Sequence, residues 1–390
     1  MSEEKILDWD MATPEQKAAV KILSENSFEA FHRSFFAMNQ GFKWETRWFH
    51  KYMLGTLERM ITGEMRGKSL VISVPPGAGK TEIFSISSVA WAHIKARKLR
   101  SFHLSFSDSL VRRNSIRAKS LIKSEPFQEC WPSIFGTDKG DEWQVVDENG
   151  KTQTEVFARS MNGEVTGARG GFPGSGFTGA IWLDDPNKPA NMFSAVKRDN
   201  DNNLVVNTLR SRRGNKSKEN PTPFIIIQQR LHVDDVTGFI LNGGIGKSFK
   251  FEHIKIPALI DQDYIDSLPD WIRQDCIDDI CHTKQREGYW SFWPSNEDID
   301  DLFDLWEANE YTFMSQYMQE PISIGGNLIH EEWWKFYGNV DDGADFPEPV
   351  KFNYRFITAD TAQKIKEHND FSVFCEWGEF NGKLYLIDLK

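Results

Sequence analysis

The residues with the clearest chemical potential form a short glycine-rich segment, Pro75 to Thr81. An apolar run, Leu70 to Val74, comes directly before it. This pattern predicts a buried strand, a tight loop and a helix that starts at Thr81. Backbone N–H groups of such a loop and of the following helix N-terminus form a concave site for phosphate groups. The segment is therefore a candidate nucleotide site.

Side chains of the same segment suit nucleotide chemistry. Lys80 would reach the β- and γ-phosphates, and the Thr81 hydroxyl would ligate Mg²⁺. The pattern G-x-x-x-x-G-K-[ST] is not fully met, because Val74 stands where its first glycine belongs. A simple Gly/Pro turn between a strand and a helix is the alternative. The predicted nucleotide-binding residues are Pro76, Gly77, Ala78, Gly79, Lys80, Thr81 and Glu82.

A pair of carboxylates follows a second apolar run about 100 residues later in the sequence, at Asp184 and Asp185. In a P-loop enzyme, Asp184 would hold Mg²⁺ through water and Asp185 would orient or deprotonate the attacking water. A common turn after a strand is the alternative interpretation. Together with the glycine-rich loop, the pair predicts ATP and Mg²⁺ as cofactors, with Lys80 and Asp185 as catalytic residues.

Two further polar residues are candidates for the same chemistry. Gln229 ends the apolar run that begins at Phe224, and a polar side chain at such a strand end can sense the γ-phosphate. Arg169 lies among glycines, which predicts an exposed, mobile arginine that can reach across an interface. We therefore include Gln229 and Arg169 among the candidate catalytic residues.

Local basic segments contrast with the net charge of −11. A predicted helix, Asp108 to Ser124, carries five cations, and the segment Thr208 to Lys218 carries five more. Each is either a solvated surface or a contact for the phosphate backbone of a nucleic acid. The cations are Arg112, Arg113, Arg117, Lys119 and Lys123 in the helix, and Arg210, Arg212, Arg213, Lys216 and Lys218 in the loop.

Strands that alternate with helices predict an α/β fold with a mostly parallel sheet, flanking helices and a site at the carboxyl ends of its strands. The length of 390 residues indicates more than one domain. We expect an N-terminal helical region (1–66), a nucleotide-binding domain (67–260), a linker subdomain (261–349) and a C-terminal region (350–390). In the first region, Trp48 or His50 could contact a nucleotide base.

The C-terminal region predicts three strands, of which the last two are joined by an Asn381-Gly382 hairpin turn. A meander whose first strand carries Asp360 is typical of the start of an RNase H-like nuclease, which binds two Mg²⁺ or Mn²⁺ ions. Asp360 is the candidate nuclease ligand. The other carboxylates of such a site are not within these residues, so we expect an incomplete nuclease.

Composition excludes several classes of protein. No run of 18 apolar residues is present, and the N-terminal residues do not form a signal peptide. We therefore expect a soluble, intracellular protein with no membrane partner, and its four scattered cysteines are expected to be free thiols.

Taken together, the segments resemble the large subunit of the terminases of tailed bacteriophages, from about Trp44 to the end. The order and spacing of several blocks carry this resemblance better than any one of them. The blocks are PPGAGKTE, SFSDSLVRRNSIRAKSLI, VTGARGG, GAIWLDDP, FIIIQQRLHVDDVTG, FMSQYMQEPISIGGNLI and FITADTAQK. The implied fold is a RecA/ASCE-like P-loop NTPase, a linker subdomain and the start of an RNase H-like β-meander.

The resemblance implies an ATP-driven motor that translocates viral double-stranded DNA into procapsids, and a nuclease that cuts concatemeric DNA. It implies a homo-oligomeric ring, a portal protein and a small terminase subunit as partners. The implied location is the cytoplasm of the bacterial host, with transient attachment to the procapsid and absence from the virion. Arg169 matches an arginine that completes a neighbouring subunit's ATP site. Gln229 departs from the family, which often has Thr or Ser there.

Two other functions remain open at this stage. A helicase or repair ATPase would need a second ATPase lobe, and residues 258–390 show none. A non-hydrolysing, nucleotide-gated DNA-binding protein would not need the full set of Lys80, Thr81, Asp184 and Asp185.

Overall fold

The computed structural model describes residues 6–96, 98–161, 163, 167–322, 337–338, 346–347, 351–360 and 373–389. The chain divides into two compact units, Met1–Ile322 and Ser323–Lys390. Within the described residues, no helix combines the length and the apolarity needed to cross a membrane.

The first unit is built on an eight-stranded sheet with the order β3-β4-β5-β2-β6-β7-β1-β8. Strands β5, β2, β6, β7, β1 and β8 run parallel, and β3 and β4 extend the sheet antiparallel. The sheet confirms the predicted α/β P-loop NTPase fold. The strands are β1 Lys68–Ser73, β2 Leu99–Ser105, β3 Ile134–Asp138, β4 Glu142–Val146, β5 Thr152–Ser160, β6 Ile181–Asp184, β7 Phe224–Gln228 and β8 Lys250–Lys255.

Helices cover the sheet and fill the connections between its strands. The first helix has a well-defined start: Thr13 and Gln16 form a reciprocal capping box, and Pro14 is the first helical residue. The α-helices are α1 Pro14–Asn26, α2 Phe28–Gln40, α3 Trp48–Ile61, α4 Ser88–Lys95, α5 Asp108–Lys123, α6 Glu125–Cys130, α7 Ala195–Asn203, α8 Val236–Leu241, α9 Gln262–Ser267, α10 Asp270–Ile280, α11 Ile299–Ala308 and α12 Glu310–Thr312. The π-helical segments are Glu82–Ser87, Leu204–Thr208 and Phe313–Tyr317, and the 3₁₀ segments are Pro189–Asn191 and Leu209–Arg212.

Alternate side chains of β1 enter different apolar cores, since successive strand residues point to opposite faces. Leu70 and Ile72 pack with residues as distant in sequence as Phe28 and Phe303, whereas Val71 joins a smaller core on the other face. The N-terminal helices and the residues after β8 therefore share one core with the sheet. The latter residues include a small sheet of β9 Leu259–Ile260, β10 Gln285–Arg286 and β11 Tyr289–Ser291.

The second unit contains the predicted meander. Its strands pair antiparallel in the order β14-β15-β16, and Asn381 and Gly382 take φ values of 52° and 74° in the last turn. These two positive φ values fit the predicted hairpin turn. The strands of this unit are β12 Tyr337–Gly338, β13 Phe346–Pro347, β14 Tyr354–Asp360, β15 Val373–Phe380 and β16 Lys383–Leu389.

Candidate nucleotide site

The glycine-rich loop joins the carboxyl end of β1 to a helix, as the sequence predicts. Gly77 and Gly79 take φ values of 79° and 68°, which favour glycine because a Cβ atom is strained there. The Gly79 N–H donates to the Gly77 carbonyl at 2.8 Å and tightens the turn. The helix begins at Lys80, next to the predicted start, and is π-helical from Glu82 to Ser87 before α4 continues it.

Trp44 closes one side of this loop and was missed by sequence reasoning. A Cβ atom added at Gly79 would lie 2.4 Å from the Trp44 ring, so the indole requires glycine at this position. His50 also contacts the loop, at the Ala78 backbone, and burial lowers its pKa to about 3, which keeps the ring neutral. The expected base contact by Trp48 is wrong, because Trp48 is buried and its indole N–H donates to the Phe292 carbonyl at 3.0 Å.

Lys80 and Asp185 form an ion pair across the carboxyl edge of the sheet. The Lys80 Nζ atom donates to Asp185 Oδ1 at 2.8 Å, and the Gln229 backbone N–H donates to the same oxygen at 3.3 Å. Asp185 takes a φ of 45°, and its N–H donates to the Ile227 carbonyl at 2.9 Å. This backbone conformation and hydrogen bond fix the Asp185 carboxylate next to Lys80 of the glycine-rich loop. An incoming phosphate must compete with it for the Lys80 ammonium.

Asp184 is buried beside this ion pair. Its Oδ2 atom accepts from Ser85 Oγ at 2.5 Å and from Asn114 Nδ2 at 3.5 Å. Its Oδ1 atom has no hydrogen-bond partner among the described residues. Burial, and then the charge of Asp185, raise the pKa of the Asp184 carboxyl to about 7. Asp184 is therefore a carboxyl group that needs a cation to be stably ionised at neutral pH.

The donor set fits Mg²⁺. The Thr81 side chain opposes the rise in the pKa of Asp184, so the two predicted ligands lie close together. Hydroxyl and carboxylate oxygens are ligands that Mg²⁺ prefers, usually with several waters and substrate phosphates completing the shell. Within the described part of the chain, no group of three or more His, Cys, Asp or Glu residues is placed to hold a metal ion.

Ser85 and Asn114 are the other polar contacts of Asp184 that the sequence analysis did not identify. Ser85 comes four residues after Thr81, which places both on one face of a helix, so helical spacing could have identified it. Asn114 comes from α5, and only the packing of α5 against the sheet brings it to Asp184.

The end of β7 differs by one residue from the expectation. Gln229 lies beyond the strand, and its backbone N–H donates to Asp185 Oδ1. Gln228 is the last strand residue and is buried, and neither atom of its amide group has a hydrogen-bond partner among the described residues. The role of Gln229 as a sensor of the γ-phosphate stays a prediction.

Glu82 faces α5. Its carboxylate lies 2.5 Å from Arg117 Nη2, and burial raises its pKa while the Arg117 charge lowers it. Three of the five cations of α5 are compensated in this way, because Lys119 and Lys123 contact Asp138.

Arg169 is exposed and lies at the other edge of the sheet. The next residue, Gly170, forms a β-bridge with Arg213, and the Gly171 N–H donates to the carbonyl of Arg100 near the start of β2. The amino ends of the parallel strands meet at this edge, whereas Lys80 lies at the carboxyl edge. The structure therefore does not bring Arg169 to the nucleotide site of its own chain.

Asp360, the candidate nuclease ligand, belongs to the second unit. It is the last residue of β14, and its backbone is in register with Val373 of β15. Its role in metal binding stays a prediction.

Comparison with known proteins gives structural matches only. No protein family model and no curated protein matches the sequence. The large terminase of bacteriophage HK97 is 14% identical, with 93% of this chain and 67% of that chain covered and a TM-score of 0.46. The ATPase domain of the Thermus phage P74-26 large terminase is 13% identical, with 74% and 98% covered and a TM-score of 0.40. A large terminase of a thermophilic bacteriophage, solved with ADP, is 11% identical, with 85% and 67% covered and a TM-score of 0.35.

The chain is similar to phage large terminases. At these identities and TM-scores the similarity adds no argument about activity, which depends on the geometry of the site.

Proposed function

We propose that this chain hydrolyses ATP and is the motor subunit of a machine that packages viral double-stranded DNA. One observation supports the ATPase most strongly. Lys80 contacts Asp185, and Thr81 lies beside Asp184, at one edge of the sheet. Lys80 and Thr81 follow β1, the two carboxylates lie at the end of β6, and β7 separates these two strands. A structural turn would not need this convergence of a lysine, a hydroxyl and two carboxylates on one glycine-rich loop.

Each residue has a defined task in the proposed reaction. The backbone N–H groups from Gly77 to Thr81 bind the β- and γ-phosphates, and Lys80 leaves Asp185 to contact the γ-phosphate. Asp185, released from Lys80, accepts a hydrogen bond from the attacking water and orients it in line. Thr81, and Asp184 through water, would hold Mg²⁺, which would supply positive charge to the phosphate oxygens.

The packaging role rests on the sequence resemblance. By that resemblance, double-stranded DNA is the substrate, a portal protein and a small subunit are the partners, and Arg169 serves a neighbouring subunit in a ring. The second unit would be part of a metal-dependent nuclease with Asp360 as a ligand. The site of action would be the bacterial cytoplasm.

Phosphate release from ATP, with and without double-stranded DNA, tests the ATPase. We expect turnover by the native chain, an increase with DNA, and a loss of at least about 100-fold in Asp185→Ala. Asp199→Ala, which removes an exposed carboxylate of α7, is the matched control and should retain native turnover. Equal turnover in native chain and Asp185→Ala would contradict the proposal.

A non-hydrolysing nucleotide-gated DNA-binding protein is the second candidate. The closed contact between Lys80 and Asp185 favours it, because a self-neutralised site suits a switch as well as an enzyme. This alternative requires that ATP change the DNA affinity while the native chain releases no phosphate even with DNA.

A further inference from the structure

A second charged surface lies at the amino edge of the sheet, on the segments before β7 and β8. Two of its cations lie over the ring of Phe249, and we call it the Phe249 surface. The guanidinium groups of Arg210 and Arg213 lie 5.5 Å and 4.5 Å from the centre of the Phe249 ring. The surface consists of Arg210, Arg213, Lys216, Lys218, Lys247 and Lys250.

The backbone that carries these cations is fixed to the core. Phe249 packs against Phe224 and Phe251, which are residues of β7 and β8. The Gly214 N–H donates to the Gly170 carbonyl at 2.7 Å, and the Thr222 N–H donates to the Asn215 carbonyl at 2.9 Å. The backbone segments that carry the cations are therefore ordered, so the surface is formed before a partner binds.

The charge of this surface is uncompensated. Residues 208–218 and 242–251 contain no Asp or Glu, and in the described part of the chain no ion pair involves any of the six cations. Arg210 and Arg213 both lie over the Phe249 ring, so like charges are close together here, and burial and Arg210 lower the pKa of Arg213. Such a cluster in a chain of net charge −11 favours an anionic partner.

The helix α5, the other basic segment, offers less free charge. Arg117 pairs with Glu82, and Lys119 and Lys123 share the carboxylate of Asp138, whereas Arg112 and Arg113 are exposed. The two surfaces therefore differ in how much charge a polyanion would gain by binding.

We propose that the Phe249 surface binds the phosphate backbone of double-stranded DNA. This inference rests on the proposed function, because it names the surface through which that motor holds its substrate. A duplex presents a dense, regular array of phosphates, and fixed cations gain most from such an array by releasing its counterions. The surface lies about 20 Å from the nucleotide site, the length of a six-residue strand, so DNA and nucleotide do not share ligands.

The test compares two triple variants with the same change in charge. Lys216→Gln/Lys218→Gln/Lys247→Gln removes three exposed lysines from the Phe249 surface, and Arg112→Gln/Arg113→Gln/Lys188→Gln removes three exposed cations at the other edge. Binding of a labelled 30-base-pair duplex is measured by fluorescence anisotropy from low to high salt. We expect the first variant to bind at least about 30-fold more weakly, with a salt slope smaller by about 2 to 3.

The carboxyl-edge variant should bind DNA within about twofold of the native chain. Phosphate release without DNA should be the same in the first triple variant and the native chain, so a failed ATPase and a failed DNA surface are told apart. Loss of affinity only in the carboxyl-edge variant would overturn the proposal. Equally tight binding to anionic lipid vesicles that depends on the same lysines would also overturn it. Unchanged DNA binding of the first triple variant, with reduced turnover in assembled oligomers, would assign the surface to a subunit contact instead.

Discussion

The two edges of the central sheet handle charge in opposite ways. At the carboxyl edge, Lys80 is neutralised by Asp185, and Asp184 is withdrawn from water beside them. At the amino edge, the cations of the Phe249 surface form no ion pair within the described part of the chain. The difference indicates that the first edge is organised for a small ligand that must displace an internal partner. The second edge is organised for a large anion that meets no internal competitor.

The largest effect should come from breaking the compensated edge. Lys80→Ala removes the cation that would contact the γ-phosphate and leaves Asp185 without its partner, so turnover should fall by about 1000-fold. Lys197→Ala, at an exposed position of α7, should leave turnover unchanged. Steady-state phosphate release measures both. More than a tenth of native activity in Lys80→Ala would mean that this pair is not the reacting centre.

The protonation of Asp184 gives the next effect. In the folded chain its pKa is about 7, against 3.8 in the unfolded chain, so the folded state binds the extra proton between these values. The free energy of unfolding therefore falls as pH rises from about 4 to 7 and stays lower above. Asp184→Asn cannot ionise, so it does not lose this stability. Its gain in unfolding free energy over the native chain should therefore be larger at pH 8 than at pH 4, by up to about 4 kcal/mol.

Urea denaturation of the metal-free chain at pH 4, 6 and 8 measures the difference. Asp199→Asn, an exposed carboxylate, is the control and should show no comparable trend. A gain in Asp184→Asn that is the same at every pH would show that Asp184 is already ionised in the folded chain.

The packing of the loop against Trp44 gives a smaller effect. Gly79→Ala adds a Cβ atom 2.4 Å from the indole at a φ of 68°, and should cost about 2 to 4 kcal/mol of unfolding free energy. In a Trp44→Ala background, only the backbone strain of about 1 to 2 kcal/mol should remain. Gly77→Ala is the matched control, because its φ is 79° but no atom lies within 4 Å of the added Cβ.

Chemical denaturation of the four chains gives the coupling energy between positions 44 and 79. Equal costs of Gly79→Ala in both backgrounds would show that Trp44 does not hold the loop.

The smallest effect concerns the free energy of unfolding, which should depend little on the lysines of the Phe249 surface and more on a paired lysine of α5. The triple lysine variant of the Phe249 surface should change the free energy of unfolding by less than about 0.5 kcal/mol, since no internal bond is lost. Lys119→Gln should cost about 1 to 3 kcal/mol, because the buried Lys119 ammonium donates to the Lys139 carbonyl at 2.8 Å and contacts Asp138. Thermal unfolding of both chains measures this. A larger loss in the triple variant would show that the surface lysines are structural.

Local signals in the sequence were sufficient for much of the fold and part of the site. The strand, loop and helix around Lys80, and the strand that ends at Asp184, lie within short segments whose patterns specify them. Antiparallel β3 was missed because it has no buried residue and leaves the apolar Ile134 exposed. β4 was missed although its burial alternates, because it is only five residues long. The end of β7 was misplaced by one residue, as expected for a boundary between two adjacent glutamines.

Contacts between distant segments could not be obtained from the sequence. Trp44 and Gly79 are far apart in the chain, and so are Asn114 and Asp184. The position of Arg169 at the amino edge follows from the order of the strands, which no local pattern contains. Which cations form ion pairs also depends on the acidic residues that pack against them from distant segments of the chain.

The contact between Lys80 and Asp185 also bears on the kinetics of the proposed cycle. After cleavage, ADP and phosphate would have to hold Lys80 against the return of Asp185. A charged hydrogen bond of this kind contributes about 1.5 to 3 kcal/mol, which would weaken product binding by about 10- to 150-fold. Asp185, which orients the attacking water, would then also promote product release. Re-formation of its contact with Lys80 would return the subunit to its starting state.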